Sequence, residues 1–314
     1  MHCRVTPTTL ILCLCLILSF NGSARGQPPL SAVYEVIKGK LAASPYGVPV
    51  YVESEEKDDW VEGRIFGLLH HDIQSLSDVF RNPKRLGDIV TLHINVKCFT
   101  LQENHGAPEV TLYLGRKFYQ PPEEAYRLPL DYRIEAIKKD YLKVSLHGSK
   151  GPMGTHDYAL CFEAIPVGEN QSFIRFIYSY GFGTVARLAA SAYLESIGQK
   201  KIGFTVVGND GEGKPIYVQG MRGVVERNAM RYYLTIQAYL DTLAIPEENR
   251  SEKRLNRWFD LTEQYPAQLH ELDREYYLTS KKNEAANRIS LQKCIDAGEL
   301  PCISLTQEQE RRSR

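Results

Sequence analysis

The sequence predicts an α+β fold in which a curved antiparallel sheet packs on long helices. Between residues 91 and 180, apolar and polar side chains alternate in runs of strand length joined by short linkers, which is typical of antiparallel hairpins. Residues 221–243 then carry apolar side chains at helical spacing, as expected of a helix lying across that sheet. From Glu247 onward the chain is charged and helical in pattern, which predicts a helical C-terminal extension.

Residues 1–24 have the pattern of a secretory signal peptide. A basic residue, Arg4, precedes the short apolar run Leu10–Phe20, and small residues up to Ala24 follow it. The run is shorter than the roughly 20 residues that cross a bilayer. We expect cleavage after Ala24 or Gly26, no transmembrane segment in the mature chain, and a periplasmic or secreted protein. An uncleaved membrane anchor is the alternative.

Four cysteines follow the predicted signal peptide, and an exported protein can form disulfides. Cys294 and Cys302 flank a segment with glycine and proline that favours a turn, so we predict a disulfide between them rather than a metal site. Cys98 and Cys161 have opposite parities on their strands, so we predict that they are not bonded to each other.

The charge of the chain is balanced. Without residues 1–24 it has 37 basic and 38 acidic residues, and a protein that neutralises phosphates needs a basic excess. We expect no nucleic-acid partner, and the sequence identifies no protein partner. We assign residues 30–245 to the sheet-and-helix domain and residues 246–314 to the helical extension with a flexible tail.

The first elements are a hairpin and a helix. Residues 50–69 contain two strand-like runs around a charged turn. Asp72 then suits the N-cap of a helix that Pro83 ends. From Thr91 the period changes to two, which predicts a strand. Five further strands are predicted at about residues 109–119, 130–137, 141–147, 156–166 and 171–180.

The second half of the chain is predicted to be helical. Residues 181–197 and 221–243 each have an apolar face at helical spacing, and a glycine-rich loop lies between them. The hairpin centred on Glu169 places Glu163 opposite Arg175, a cross-strand ion pair that we interpret as a surface feature.

Several segments resemble a family of uncharacterised exported proteins from proteobacteria, and the order of elements resembles the helix-grip fold of the START-like (StAR-related lipid-transfer) superfamily. The segments are LHINVKC (92–98), LGRKF (114–118), YSYGFG (178–183), KIGFTVVG (201–208) and RGVVERNAMRYYL (222–234). The resemblance implies a cavity between sheet and helix that holds a hydrophobic or amphipathic small molecule, with a lipid among the candidates. It implies no reaction, since this superfamily includes carriers, cyclases and hydrolases.

Arg116 has the same parity as the apolar residues of its predicted strand. A buried cation needs a partner, so three arrangements remain open. The guanidinium pairs with a carboxylate such as Glu226, it binds an acidic head group of a ligand, or a bulge near Gly115 turns it outward.

Four tyrosines fall on the apolar parities of three strands, and each combines apolar area with one hydroxyl. They line a ligand pocket or belong to an ordinary core. With Arg116 they form our candidate ligand-binding set: Tyr132, Tyr158, Tyr178 and Tyr180.

Other polar groups favour structural interpretations. His93, Asn95 and Lys97 share one face of the strand from Thr91, which we interpret as the solvated face, although a polar row in a pocket is possible. No GxSxG, HExxH or Walker-type motif occurs, so we expect no catalytic motif, no metal and no cofactor. We therefore favour a binding or carrier protein. The alternatives are an enzyme that uses the same cavity for acid–base chemistry, and an envelope interaction module that uses the charged tail.

Overall fold

An eight-stranded antiparallel sheet is the centre of the computed structural model, which describes residues 28–104, 106–184, 187 and 201–298. The strand order is β1-β2-β8-β7-β6-β5-β4-β3, and a separate two-stranded ribbon pairs β9 with β10. The strands are β1 (Val50–Lys57), β2 (Trp60–Leu69), β3 (Val96–Asn104), β4 (Ala107–Leu114), β5 (Tyr126–Ile137), β6 (Leu142–Lys150), β7 (Thr155–Gly168), β8 (Gln171–Phe182), β9 (Val206–Asn209) and β10 (Pro215–Tyr217).

The helices pack on both faces of this sheet. A long helix, α4, lies against the inner face, α5 packs on the far side of α4, and α7 lies across the edge strand β3. Within the described ranges, the helices of eight residues or more are α1 (Leu30–Ala42), α2 (Ile73–Phe80), α3 (Pro83–Val90), α4 (Gly220–Asp241), α5 (Glu247–Thr262) and α7 (Arg274–Asp296), and α6 (Pro266–Leu269) is a single turn. An antiparallel sheet that holds one long helix is the helix-grip arrangement, so the predicted α+β helix-grip fold class with C-terminal helices is confirmed.

Local signals placed most elements well. The predicted hairpin over residues 50–69 is β1 and β2, and Asp72 caps α2 by accepting a hydrogen bond from the backbone nitrogen of Ser75 at 2.8 Å. Pro83 does more than follow α2, because it is also the first residue of α3, whose N-cap is Asn82. Helix α3 was therefore not predicted from the sequence.

Two glycines let α4 approach the sheet closely. A Cβ atom on Gly63 would lie 3.0 Å from the carbonyl oxygen of Val225, and one on Gly67 would lie 2.8 Å from the Tyr233 hydroxyl. Both glycines are in β2, so this strand presents a backbone surface to the helix. The far side of α4 packs on α5, where the indole nitrogen of Trp258 donates to the carbonyl of Arg231 at 3.3 Å. Helix α4 is thus enclosed along most of its length.

The strand predicted from Thr91 is only partly correct. It begins at Val96, and a register shift between Val96 and Cys98 marks a bulge at Lys97. The bulge turns Cys98 to the outer face, where it packs with Tyr113 and Ala125, so the expected alternation is wrong from this point on. Cys98 and Cys161 are both free, as predicted, but the reason is their separation by four strand spacings, about 19 Å.

The outer face of the sheet is partly covered. Helix α1 packs its apolar side on β2 and β8, including Phe66 and Phe173. Glu163 and Arg175 are cross-strand partners and form the predicted ion pair, with the Arg175 Nε donating to Glu163 at 3.0 Å. The surface interpretation was wrong, since both residues are buried.

Helix α7 covers the edge strand β3. The side-chain amide of Gln292 accepts from the backbone nitrogen of Leu101 at 3.0 Å and donates to its carbonyl at 2.9 Å, as a paired strand would. The hydroxyl of Tyr277 donates to the carbonyl of Leu92 at 2.9 Å. The C-terminal helices are therefore packed into the same core as the sheet.

Some predictions lie outside the described ranges. They are the signal peptide over residues 1–24, Cys302 of the predicted disulfide, and most of the helix predicted over residues 181–197, whose first two residues belong to β8 instead. Among the residues that are described, no helix is long and apolar enough to cross a membrane.

Candidate functional site

An apolar cavity of about 30 Å³ lies between the inner face of the sheet, α4 and the α2–α3 pair. Of its thirteen lining residues, four belong to the short helices α2 and α3, six to strands β5 to β8, and three to α4. The lining residues are Phe80, Leu86, Ile89, Val90, Tyr132, Val144, Leu146, Leu160, Phe162, Phe176, Tyr232, Thr235 and Ile236. Ligand pockets for drug-sized molecules enclose about 300–1,000 Å³, so a ligand can enter this one only if some lining side chains move.

Tyr132 is the one predicted site residue that lines this cavity. It lies on β5, where it is buried, and its hydroxyl donates a hydrogen bond to the carbonyl oxygen of Phe80 at the end of α2. That bond ties the short helix to the sheet. Burial raises the pKa of Tyr132 above its ordinary value, so the phenol is neutral.

The other three predicted tyrosines form a cluster with Tyr232 of α4, next to the cavity. The Tyr158 and Tyr180 rings are stacked with centroids 5.3 Å apart, and Tyr178 lies 5.6 Å from Tyr180 and from Tyr232. Tyr232 also stacks on His93 at 4.4 Å. Because Tyr232 lines the cavity as well, it connects the cluster to it. We call Tyr158, Tyr178, Tyr180, Tyr232 and His93 the aromatic cluster.

Several polar atoms of the aromatic cluster lack partners. The Tyr158 hydroxyl lies 2.9 Å from the Thr155 hydroxyl, but within the described parts of the chain no hydrogen bond is formed by the hydroxyls of Tyr178, Tyr180 and Tyr232. The Nε2 atom of His93 is buried and also unpartnered. Buried polar groups are normally hydrogen-bonded, so the Nε2 atom of His93 stands out among the polar groups of this interior.

The electrostatics of the aromatic cluster keep it neutral. Burial raises the pKa of the Tyr158 phenol to about 12 and also raises the pKa of Tyr178. Burial, assisted by the charge of Arg231, holds the pKa of His93 well below its ordinary value. The Nδ1 atom of His93 accepts from the backbone nitrogen of Asn95 at 3.1 Å, so the proton of the neutral ring is on Nε2. The unpartnered Nε2 is therefore a donor.

Arg116 does not belong to this interior. Strand β4 ends at Leu114, two residues before it, and its side chain is exposed. Gln120 accepts a hydrogen bond from the Arg116 backbone nitrogen at 3.0 Å and fixes the turn instead. The side chain is turned outward, as in the third alternative, but because β4 has ended and not through a bulge near Gly115, and the placement of Arg116 on the apolar face is wrong. Glu226 instead accepts from the backbone nitrogen of Thr205 at 2.9 Å and from the Thr205 hydroxyl at 2.7 Å.

The solvated interpretation of His93 and Lys97 is also wrong. Both are buried, because α7 lies across the start of β3. Lys97 donates to Glu284 at 3.0 Å, and Lys281 donates to the other oxygen of Glu284 at 2.8 Å. Lys281 also donates to the carbonyls of His93 and Val96. This buried triad holds the helix on the sheet.

Three parts of this interior were not assigned to the site from the sequence. Tyr232 was on the apolar stripe of the predicted long helix, and that position was the signal that could have placed it in the site. Helix α3 gave no such signal, since Pro83 was interpreted only as the end of a helix. His93 was named only as an alternative pocket residue, because its burial depends on residues far along the chain.

Few ionisable groups line the cavity. Among the described residues that line the cavity, the only ionisable groups are the phenols of Tyr132 and Tyr232, and burial raises the pKa of both. Elsewhere in the described ranges, no group of three or more His, Cys, Asp or Glu side chains is placed to hold a metal ion. Cys294 lies in the last turn of α7, and its disulfide with Cys302 stays a prediction.

Comparisons with known proteins add fold-level likeness only. No family model and no curated protein matches the chain. Solved structures that it resembles include an aromatase/cyclase from Streptomyces sp. R1128, with 6% identity over 43% of this chain and 70% of that chain and a TM-score of 0.30. Norcoclaurine synthase from Thalictrum flavum has 9% identity over 57% of this chain and 90% of that chain, with a TM-score of 0.31. A protein from Arthrobacter aurescens has 12% identity over 58% and 87%, with a TM-score of 0.32.

Proposed function

We propose that this protein binds a hydrophobic or amphipathic small molecule between the inner face of the sheet and α4. One observation carries the proposal: the Nε2 atom of His93 is buried without a partner among the described residues, and the hydroxyls of Tyr178, Tyr180 and Tyr232 form no hydrogen bond there, beside an apolar cavity. An amphipathic ligand satisfies these groups with a few polar atoms and fills the apolar space with the rest. Without a ligand, the buried Nε2 donor of His93 has lost its hydrogen bonds to water and gains none in return, which lowers the stability of the folded protein.

Entry of the ligand requires displacement of part of the lining. Helices α2 and α3 are eight residues each, and helices this short are marginally stable without tertiary contacts. They supply Phe80, Leu86, Ile89 and Val90 to the cavity. We therefore assign the α2–α3 pair as the movable wall and the sheet with α4 as the fixed one.

The cellular location belongs to the same proposal. The pattern of residues 1–24 supports export, and the segments around residues 92–98 and 222–234 support a relationship to exported proteobacterial proteins. A binding or carrier role in the periplasm or outside the cell fits a chain without catalytic motifs. The enzyme alternative relied on Arg116 as an anion stabiliser, and that residue lies exposed outside the interior.

Native mass spectrometry of protein purified gently from the periplasm is the direct test. We expect a reproducible added mass that is lost on denaturation. A clean unliganded mass, together with no binding of a fluorescent hydrophobic probe to the folded protein, would overturn the proposal.

A cavity-filling substitution tests the position of the site. Val144→Ile adds one methylene group to the lining, whereas Val167→Ile makes the same change on the side of the sheet that faces α1. We expect Val144→Ile to reduce ligand occupancy while its stability stays within about 1 kcal/mol of the parent. Val167→Ile should leave occupancy unchanged, and equal losses in both variants would place the ligand elsewhere.

A further inference from the structure

We infer that a second site, a basic cleft between α3, α5 and α7, binds a phosphate group. The cleft has a volume of about 690 Å³ and shares no lining residue with the interior cavity. Its walls include six basic and three acidic side chains, an excess of three positive charges in a chain that is otherwise balanced. The charged residues are Lys97, Arg250, Arg254, Lys281, Lys282, Arg288, Asp88, Glu247 and Glu284.

Arg254 is the central residue of this cleft. It is only 6% exposed, its Nε donates to the Thr242 hydroxyl at 3.0 Å, and its guanidinium lies 4.0 Å from the centroid of the Tyr239 ring. Within the described residues, no carboxylate lies within ion-pair distance of it and its two terminal nitrogens have no hydrogen-bond acceptor. A buried guanidinium without an anion is costly, and Tyr239 offsets only part of that cost.

Arg250 strengthens the case, because it repeats the same arrangement one turn away. It lies four residues before Arg254 on α5 and lines the cleft, and its Nε donates to the carbonyl of Ile245 at 2.9 Å. It too lacks a carboxylate partner among the described residues. Like charges at this spacing repel and destabilise a helix. Two adjacent arginines without an acid therefore favour a bound anion.

The other charges around the cleft are mostly paired. Arg288 forms an ion pair with Asp88 at 2.6 Å, Lys282 pairs with Glu252 at 3.4 Å, and Lys97 and Lys281 share Glu284. Burial and the neighbouring Arg250 and Arg288 lower the pKa of Arg254, while Tyr239 and Asp88 oppose this effect. Lys97 and Lys281 have only one carboxylate between them, and Glu247 forms no ion pair within the described ranges. Arg250 and Arg254 are thus the basic lining residues without an ion-pair partner among the described residues.

The chemistry of the two arginines selects the ligand class. Each guanidinium is a planar fork that matches the oxygens of a phosphate or carboxylate. Two unpaired cations are neutralised by a dianion, and a phosphate monoester carries about −1.5 to −2 charges at pH 7. A phosphomonoester group, either of a soluble metabolite or of a lipid such as phosphatidic acid, is therefore the class that this cleft fits best.

Thermal unfolding of the full chain in inorganic phosphate tests the inference. Ionic strength is matched with sodium chloride, since exposed charges respond to salt. We expect phosphate to raise the midpoint of unfolding of the parent protein and of Arg257→Gln. Arg257 is on the same helix but lies outside the cleft and pairs with Asp241. We expect Arg250→Gln to lower the phosphate affinity about tenfold or more.

Three outcomes decide the matter. No phosphate-specific shift in the parent, or an equal loss in Arg257→Gln and Arg250→Gln, would overturn the inference. Arg254→Lys serves as a second variant, because it keeps the charge and removes the fork; an unchanged phosphate affinity would also count against the site. Flotation with phosphatidylcholine vesicles, with and without phosphatidic acid, identifies which molecule carries the phosphate group. Retention only by vesicles that contain phosphatidic acid indicates a lipid. Phosphate binding without retention indicates a soluble phosphate ester.

Discussion

Tyr132 and Tyr178 are buried tyrosines that face the same interior but differ in what their hydroxyls contact. The Tyr132 hydroxyl donates to the Phe80 carbonyl, whereas the Tyr178 hydroxyl has no partner within the described residues. Removing a satisfied hydroxyl loses a hydrogen bond, whereas removing an unsatisfied one relieves a desolvation penalty. Removing the hydroxyl of Tyr132 therefore tests a structural hydrogen bond, and removing that of Tyr178 tests a ligand contact.

We predict opposite effects of two phenylalanine substitutions. Tyr132→Phe should lower the free energy of unfolding by about 1 kcal/mol, and Tyr178→Phe should raise it or leave it unchanged. Tyr178→Phe should also lose affinity for an amphipathic ligand, because it removes a polar anchor. Urea denaturation and native mass spectrometry measure the two quantities. A Tyr178→Phe variant that is destabilised and binds normally would show that its hydroxyl is a structural group.

Lys281 gives a prediction about pH. Burial lowers its pKa from 10.5 to about 8 in the folded protein, and Lys97 adds to the effect while Glu284 opposes it. Between pH 8 and 10.5 the unfolded chain therefore binds more protons at this residue, so its contribution to the free energy of unfolding rises with pH.

Comparison of two methionine variants checks that sign. The free energy of unfolding of the parent, relative to Lys281→Met, should increase between pH 8 and 10.5. Lys282→Met, at the exposed neighbouring position, should show no such trend relative to the parent. A difference that is flat or falls over this interval would contradict the assignment.

At the scale of the element, features that depend on neighbouring residues could be predicted from the sequence, and features that depend on packing with distant residues could not. The hairpin of β1 and β2 and the cap at Asp72 depend on residues within a few positions of each other, so the sequence predicted them. The bulge at Lys97 depends on Glu284, which lies 187 residues further along the chain. The alternation from Thr91 could not reveal a helix that arrives from so far away.

The N-cap of α2 should make a measurable contribution to the free energy of unfolding. Asp72 accepts from the backbone nitrogen and the hydroxyl of Ser75, both at 2.8 Å, and these bonds lower the pKa of its carboxyl. Asp72→Ala should lower the free energy of unfolding by about 1 kcal/mol at pH 7, whereas Asp72→Asn should retain most of it. Because the folded-state pKa is depressed, the advantage over alanine is present above the ordinary value of 3.8 and decreases as pH falls below it.

On the scale of the whole molecule, the fold was predictable because all but one of the strand pairings in the large sheet join strands that are consecutive in the chain. The candidate site was predictable only in part. Alternation placed Tyr132, Tyr158, Tyr178 and Tyr180 on the inner face, where the structure has them. Arg116 failed because the sequence did not show that β4 ends at Leu114, and parity has no meaning beyond the end of a strand.

The C-terminal helices also bear on cooperativity. Residues 246–314 were assigned to an extension, yet Trp258, Phe259 and Tyr277 belong to the same apolar cluster as the sheet. We predict one unfolding transition. In a Trp60→Phe background, the fluorescence of Trp258 and the far-ultraviolet circular dichroism should give coincident urea curves. Separate midpoints would show that the extension unfolds on its own.

Gln292 has a further consequence, for solubility. A sheet whose outermost strand offers free backbone groups recruits other chains and aggregates. The amide of Gln292 occupies the backbone groups of Leu101 in the way a neighbouring strand would, and α7 screens the strand around them. Shortening the chain before Arg274 should therefore produce edge-to-edge oligomers rather than a smaller monomer, and light scattering would detect them. Helix α7 thus protects the edge strand β3 from pairing with other chains.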